Sequence, residues 1–178
     1  MSFVEQCFEQ IISGGDISFE QACMLVSDTT PENLFDAADR IRRKIHGNSF
    51  DLCSIINARS GKCSENCRFC AQSSRYDTGI DTYEMAPADE VVRQGLENAD
   101  QGVARYSLVT AGREVSDEDL DGYAEMYREL GSRSELYFCA SMGFLTKEKA
   151  EKLFECGVRR YHCNLETCRS FFSEVCTT

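Results

Sequence analysis

Three cysteines stand close together in the chain, with a spacing that suits metal chemistry. Cys63, Cys67 and Cys70 form a C-x3-C-x2-C array within the segment NARSGKCSENCRFCAQS, residues 57–73. Thiolates favour iron–sulfur centres, and three of them on one tight loop can hold three corners of a 4Fe–4S cluster. The fourth iron then has no protein ligand from this loop. Such an open coordination position would let a cluster bind a substrate as well as carry electrons.

Other kinds of site also use closely spaced cysteines. A structural zinc site usually takes four nitrogen or sulfur ligands, and no second C-x2-C pair or histidine stands near this array. A thioredoxin-like redox pair at Cys67 and Cys70 would leave Cys63 without a role. Zinc, a redox pair and a chance grouping of thiols remain alternatives, but the spacing favours the iron–sulfur cluster.

Composition narrows the class of protein. The 178 residues include 11 cysteines and carry a formal charge of −11, and the sequence pI is about 4.7. This acidity argues against nucleic acid or an anionic membrane as the main partner. No apolar stretch of bilayer length and no signal-peptide pattern is present. We therefore expect a cytoplasmic protein, in which thiols serve metal or redox chemistry more often than disulfides.

The elements that must position the cysteines fall into two parts. Residues 1–47 are predicted to form a helical leader, with capping residues at Ser2, Ser18 and Thr30 and a stop at Gly47. Residues 48–178 alternate strands with helices. The predicted strands are 50–56, 103–109, 136–140 and 158–165, and the predicted helices are 87–98, 116–131, 146–156 and a last one from about residue 167.

Strict alternation of strand and helix predicts a parallel sheet of the α/β class. The cysteine array follows the first strand, at the edge where the carboxyl ends of parallel strands and their functional loops gather. Four units are too few for a closed eight-stranded barrel, which takes about 250 residues. Composition leaves two architectures open: a small open sheet or the front half of a barrel.

The array in this position resembles the signature of the radical SAM superfamily. The wider segment NARSGKCSENCRFCAQSSRYDTG, together with VTAGRE and RYHCNLET, resembles the biotin synthase branch over residues 50–178. The resemblance implies the N-terminal half of a (β/α)8 TIM-type barrel, preceded by the short helical leader. It also leads us to expect that these 178 residues, which would lack strands five to eight, are inactive alone.

The resemblance further implies a reaction and its cofactors. In this branch, S-adenosylmethionine binds a 4Fe–4S cluster and yields a 5′-deoxyadenosyl radical, and sulfur from an auxiliary iron–sulfur cluster of the 2Fe–2S type is inserted into dethiobiotin to form biotin. The implied partners are a dethiobiotin-like small molecule, a flavodoxin or ferredoxin as electron donor, and a second copy in a homodimer of the full-length form. Neither nucleic acid nor a membrane is among them.

Carried over residue by residue, the resemblance assigns two groups of candidates. Cys63, Cys67 and Cys70 would bind the 4Fe–4S cluster. The residues that would contact S-adenosylmethionine or the substrate are an aromatic residue beside the adenine, a turn after the second strand and two polar residues of the fourth-strand motif: Phe69, Thr110, Ala111, Gly112, Asn164 and Glu166.

The implied auxiliary cluster departs from the pattern of the branch. Cys139 matches its third-strand ligand, but Ser107 stands where the second strand would supply a cysteine. Cys163 and Cys168 are possible replacements, although strand alternation favours packing of Cys163 against the helices. The other thiols are expected to be structural: Cys7, Cys23, Cys53, Cys156 and Cys176. Ser107 therefore keeps open another radical SAM enzyme with a different substrate, and a non-enzymatic metal or redox-binding module is a third alternative.

Overall fold

Seven helices and four strands make up the structure, a computed structural model that describes every residue from Met1 to Thr178. Contacts divide the chain into two units, Met1–Phe50 and Asp51–Thr178. In chain order the elements are α1 (Phe3–Ile12), α2 (Phe19–Ser27), α3 (Pro31–His46), β1 (Cys53–Arg59), α4 (Ala88–Asp100), β2 (Arg105–Thr110), α5 (Asp117–Arg133), β3 (Tyr137–Ser141), α6 (Lys147–Glu155), β4 (Val158–Tyr161) and α7 (Phe172–Val175).

The first unit consists of α1, α2 and α3, each begun by a side-chain cap. Ser18 and Gln21 form a reciprocal capping box at the start of α2, which satisfies backbone donors that a helix start otherwise leaves unpaired. The Arg40 guanidinium on α3 forms two hydrogen bonds, of 2.8 and 2.9 Å, to the Glu5 carboxylate on α1. It also lies 3.9 Å above the Phe8 ring. This charged pair and the stacked ring hold α1 against α3.

The second unit is built on a parallel sheet whose strands follow chain order, β1-β2-β3-β4. Ser107 of β2 lies opposite Ile55 of β1 and Cys139 of β3, and Cys139 lies opposite Arg160 of β4. A sheet whose strand order rises steadily along the chain is the arrangement of a (β/α) barrel, whereas doubly wound sheets reverse their order at a switch point. The structure thus decides between the two architectures that composition left open.

The core lies between one face of this sheet and the helices. Alternate side chains of the strands, including Ile56, Tyr106, Leu108 and Phe138, are buried there among residues of α4, α5 and α6. The opposite face, which we call the open face, carries the intervening residues, and Ile55 on it is 60% exposed. No helix of the chain has the length and apolar character needed to cross a membrane.

Buried tyrosine hydroxyls tie the helices to the strands. The Tyr127 hydroxyl on α5 donates to the Cys139 carbonyl at 2.6 Å and accepts from the Leu108 amide at 3.2 Å, so it joins β2 to β3. The Tyr123 hydroxyl donates to a carbonyl of β1. Desolvation raises the pKa of Tyr127 well above its ordinary value. Both hydroxyls therefore remain protonated donors in the core.

Two element boundaries differ from the sequence prediction in ways that matter for the site. β1 begins at Cys53 and extends to Arg59, three residues beyond the predicted end. β4 ends at Tyr161, four residues before its predicted end. The strand ends where its pairing with β3 ends, since Tyr161 opposite Ala140 is the last pair between the two strands. The segment from residue 162 is irregular as far as α7.

Replacing Tyr127 by phenylalanine tests the link between α5 and the two strands. The Tyr127→Phe variant removes the hydroxyl that bonds to a buried amide and a buried carbonyl, and we expect it to lower the free energy of unfolding by about 1–3 kcal/mol. Denaturant-induced unfolding followed by circular dichroism measures this. Tyr137→Phe is the matched control, because the Tyr137 side chain is exposed and its hydroxyl forms no hydrogen bond. Equal stability of the two variants would contradict the proposed link.

Candidate functional site

The loop after β1, residues 60–76, carries the cysteine array, and we call it the cysteine loop. Its first turn depends on Gly61, which has a φ of +75° and whose position would place a Cβ in collision with the Thr82 side chain. The Gln72 side-chain oxygen accepts hydrogen bonds from the Gly61 amide at 2.5 Å and from the Ser60 hydroxyl at 3.3 Å. The Gln72 side chain therefore holds the later part of the loop against its first two residues.

Backbone hydrogen bonds then place the three thiols on this loop. The Cys63 amide donates to the Gln72 carbonyl, and the Ser74 amide donates to the Cys63 carbonyl. The Cys70 amide donates to the Cys67 carbonyl at 3.0 Å, which closes a tight turn between these two cysteines. All three are free thiols of intermediate exposure. They are thus partly shielded from water. They remain accessible to a group that approaches from the edge of the sheet where the strands end, which we call the rim.

The arrangement of the thiols distinguishes between kinds of metal site. No group of three or more cysteine, histidine or acidic side chains converges on a position for a single metal ion. A tetrahedral zinc site requires such convergence. In a 4Fe–4S cluster each thiolate binds a different iron, so the ligands surround the cluster instead of meeting at one point. Three free thiols on one hydrogen-bonded loop match the number of protein ligands of a 4Fe–4S cluster with one open iron.

Cys67 has a further thiol beside it. The Cys176 Sγ lies 3.4 Å from the Cys67 Sγ, although 109 positions separate the two in sequence. Burial raises the pKa of Cys67 to about 12, and the charges of Cys176, Glu166 and Cys70 act in the same direction. Without a metal, Cys67 is therefore a protonated thiol. A bound metal cation would favour the deprotonated form of Cys67, because a thiol releases its proton when it becomes a ligand.

The turn after β2 reaches the same edge of the sheet. The Ala111 amide donates to the Arg59 carbonyl at the end of β1, at 3.0 Å. Gly112 follows with a φ of +122°, and a Cβ at its position would meet only the Glu114 carbonyl oxygen, at 3.6 Å. The backbone at Gly112 is therefore open to close approach by a ligand. The Thr110 hydroxyl is buried and has no hydrogen-bond partner in the chain.

The residues assigned to the fourth-strand motif lie on the irregular segment after β4. Asn164 and Glu166 are both exposed, and because β4 ends at Tyr161 the prediction that Asn164 belongs to this strand is wrong. Glu166 lies near enough to Cys67 for its charge to raise the pKa of that thiol. Phe69, within the cysteine loop, exposes 59% of its surface. Cysteine thiols, an aromatic ring and a carboxylate thus share one rim.

Cys139 lies apart from this rim, in the middle of β3. It is 1% exposed and faces the same side of the sheet as Ser107, its register partner, which is equally buried and whose hydroxyl has no hydrogen-bond partner. Burial raises the pKa of Cys139 and the neighbouring Cys53 adds to this, whereas the guanidinium groups of Arg160 and Arg105 lower it. Two thiols, a hydroxyl without a partner and two cations therefore belong to the open face.

The structure also corrects or extends the expectations for other cysteines. Cys163 was expected to pack against helices, but it is exposed because β4 has already ended. Cys168 is exposed as well, and hydrogen bonds from Ser170 lower its pKa. The expectation that Cys53 and Cys176 are structural stays a prediction. The parity of β1 could have placed Cys53 on the same face of the sheet as Cys139 once the strand order was known, but no local pattern could have placed Cys176 beside Cys67.

Curated relatives share this sequence at high identity. A biotin synthase of Desulfotalea psychrophila is 52% identical over 173 residues, which cover 96% of this chain and 52% of the relative. A biotin synthase of Parabacteroides distasonis is 43% identical over 175 residues, which cover 98% of this chain and 54% of the relative. The chain thus spans about half the length of the curated relatives it matches. The resemblance to the biotin synthase branch is confirmed.

Solved structures share the fold at low identity. Methylornithine synthase (PylB) superposes with a TM-score of 0.79 at 20% identity, over 95% of this chain and 50% of that chain. HydG, a maturase of the FeFe-hydrogenase, superposes with a TM-score of 0.74 at 18% identity, over 99% of this chain and 40% of that chain. These likenesses confirm the predicted α/β fold class, a partial (β/α) barrel.

The profile of one family covers most of the second unit. It is described as the Radical SAM superfamily, and it matches residues 58–177, from the end of β1 to the segment that contacts the cysteine loop. The matched region contains the cysteine array, the turn at Gly112 and the irregular segment with Glu166. The strand order and the three thiols on the rim agree with this sequence match. The chain therefore belongs to the radical SAM superfamily.

Proposed function

We propose that this chain provides the cluster-binding and S-adenosylmethionine-binding part of an enzyme of the biotin synthase type, which inserts sulfur into a dethiobiotin-like substrate. The observation that carries the proposal is the set of three free, half-buried thiols on the cysteine loop, in a chain 42–52% identical to biotin synthases. A 4Fe–4S cluster held there with S-adenosylmethionine would supply a 5′-deoxyadenosyl radical. The residues of the chain would hold, orient and shield the reacting groups.

Each part of the rim has a separate task in this proposal. Cys63, Cys67 and Cys70 hold the cluster. The exposed ring of Phe69 offers a surface on which an adenine can stack. The open backbone at Gly112 allows the methionine part of the cofactor to approach β2 closely. Carboxylate and amide oxygens at Glu166 and Asn164 suit the hydroxyl groups of a ribose.

The open face would hold the sulfur donor. We assign Cys139 and Cys53 as candidate thiolate ligands of the auxiliary iron–sulfur cluster, since both belong to the open face, where Cys53 lies opposite Arg105 and Cys139 lies opposite Ser107. Serine is a poor ligand for iron, so the thiol of Cys53 takes over the role that a second-strand cysteine has in the pattern of the branch. Arg105 and Arg160 would balance the negative charge of such a group.

Ser107 also favours a second candidate function. A radical SAM enzyme of the same branch that acts on a different small molecule would need the rim of the sheet but not a sulfur donor on the open face. The two candidates share the cluster, S-adenosylmethionine and a reducing partner such as a flavodoxin or ferredoxin. They differ in the open face and in the substrate, and a homodimer of the full-length protein is compatible with both.

The cysteine loop is tested by alanine variants of its three thiols. After anaerobic reconstitution with iron and sulfide, the chain is expected to carry a 4Fe–4S cluster with about four irons, which Cys63→Ala, Cys67→Ala and Cys70→Ala each lose because a thiolate corner is missing. Iron analysis and electron paramagnetic resonance of the reduced protein measure this. Cys23→Ala is the matched control, because Cys23 is an exposed free thiol of the first unit.

Two outcomes would contradict the proposed loop site. Stoichiometric zinc without iron in the purified chain would assign the thiols to a structural metal. An unchanged resonance spectrum of the reduced cluster after addition of S-adenosylmethionine would show that the fourth iron is not an open site. Retention of the cluster by the Cys23→Ala control, together with its loss in the three loop variants, is the result expected.

The open face is tested in a background without the first cluster. In the triple variant Cys63→Ala, Cys67→Ala and Cys70→Ala, reconstitution should leave only iron bound at the open face. Adding Cys139→Ala or Cys53→Ala should abolish this remaining iron, because each change removes a thiolate ligand. Cys156→Ala is the matched control, since Cys156 is equally buried but lies in the core. An iron-free triple variant would remove the sulfur donor from the open face and favour the second candidate function.

Substrate choice is tested on the reduced, reconstituted protein with S-adenosylmethionine present. Dethiobiotin should change the resonance spectrum of the cluster further, because it would occupy the space beside the bound cofactor. Desmethyl and ring-opened analogues of dethiobiotin serve as controls of similar size. A spectrum that responds to none of these compounds would favour a different substrate while leaving the radical SAM assignment intact.

A further inference from the structure

Cys176 occupies a position that the proposed cluster does not explain. Its side chain is 96% buried, and its thiol hydrogen donates to the Cys67 sulfur across 3.4 Å. Among the free cysteines of the chain, this is the one pair of thiols in hydrogen-bond contact. Thiols elsewhere in the chain bond to a carbonyl or to a hydroxyl, as Cys156 does with the Leu153 carbonyl.

The contact is held from both sides by hydrogen bonds independent of the thiols. The Arg68 amide donates to the Val175 carbonyl at 2.9 Å, so the residues that follow Cys67 and precede Cys176 are bonded to each other. On the other side, the Thr177 amide donates to the Asn66 side-chain oxygen at 2.8 Å. The two cysteines therefore lie between two hydrogen bonds, each of which is donated by a backbone amide. Their proximity follows from the surrounding structure and does not depend on the weak S–H donor itself.

A hydrogen bond to a ligand sulfur has a known consequence for an iron–sulfur cluster. Reduction adds negative charge, which is shared with the ligand sulfurs, and a donor that points at one of them stabilises the reduced form more than the oxidised form. The reduction potential of the cluster therefore rises with such bonds, as it does with other features of the immediate surroundings. Removal of the donor lowers the potential.

We propose that Cys176 is a positioning residue that donates a hydrogen bond to the sulfur of Cys67 and thereby raises the reduction potential of a 4Fe–4S cluster held by the cysteine loop. The inference rests on the proposed function, since it requires Cys67 to be a ligand. It adds a fourth thiol to the site without making it a fourth ligand, so the open iron remains free. The segment 175–178, which positions Cys176, would thereby influence how readily the cluster accepts an electron.

Three variants of the 178-residue chain test this role: Cys176→Ala, Cys176→Ser and, as the control, Cys156→Ala. Each is reconstituted with iron and sulfide, and its cluster is titrated with a reductant while electron paramagnetic resonance follows the reduced form. At the midpoint of the unaltered chain, Cys176→Ala should lower the ratio of reduced to oxidised cluster by about threefold to tenfold, where tenfold is about 59 mV for one electron. Cys176→Ser keeps a donor and should restore most of the ratio, and Cys156→Ala should leave it unchanged.

Several results would overturn the inference, and they are distinguishable from failure of the proposed function. An unchanged ratio in Cys176→Ala, with full iron content, would show that the hydrogen bond does not act on the cluster. An equal decrease in the alanine and serine variants would assign Cys176 a packing role only. Loss of iron in Cys176→Ala would make it a ligand. If the unaltered chain forms no 4Fe–4S cluster, both the proposed function and the inference are wrong.

Discussion

The parallel pairing of four strands in chain order is the constraint on which the rest of the site depends. Parallel strands end at the same edge of a sheet, so the loops after β1, β2 and β4 meet there although up to 100 residues separate them. The thiols, the open backbone at Gly112 and the carboxylate of Glu166 share a rim for this reason. The buried hydroxyl of Tyr127 supports the arrangement, because it bonds to β2 and β3 together.

The same sheet separates two chemical environments. At its rim, exposed groups surround three half-buried thiols. On its open face, strand alternation and register place Ser107 and Cys139 side by side, both almost fully buried, with Arg105 and Arg160 close to the thiol. A radical generated at the rim and a sulfur held on the open face would lie on one continuous surface, while the helices pack on the other side. The fold thus provides a position for each of the two proposed groups.

Local sequence determined much of the fold for identifiable physical reasons. Caps such as Ser18 and Thr30 satisfy backbone groups within three residues of themselves, so the starts of α2 and α3 could be predicted from adjacent residues. The end of β4 could not, because it lies at Tyr161, where the pairing with β3 ends. The length of β1 likewise depends on its pairing with β2, which a local window does not contain.

By itself the sequence determined the chemistry: the spacing of Cys63, Cys67 and Cys70 indicates a three-thiolate cluster site, since ligand type and separation on one loop are local properties. Only the tertiary structure decided between an open sheet and a partial barrel, through the order of the strands. It alone placed Cys53 on the same face of the sheet as Cys139 and brought Cys176 into contact with Cys67. Such contacts arise from register and from the return of a distant segment, and no pattern of neighbouring residues encodes them.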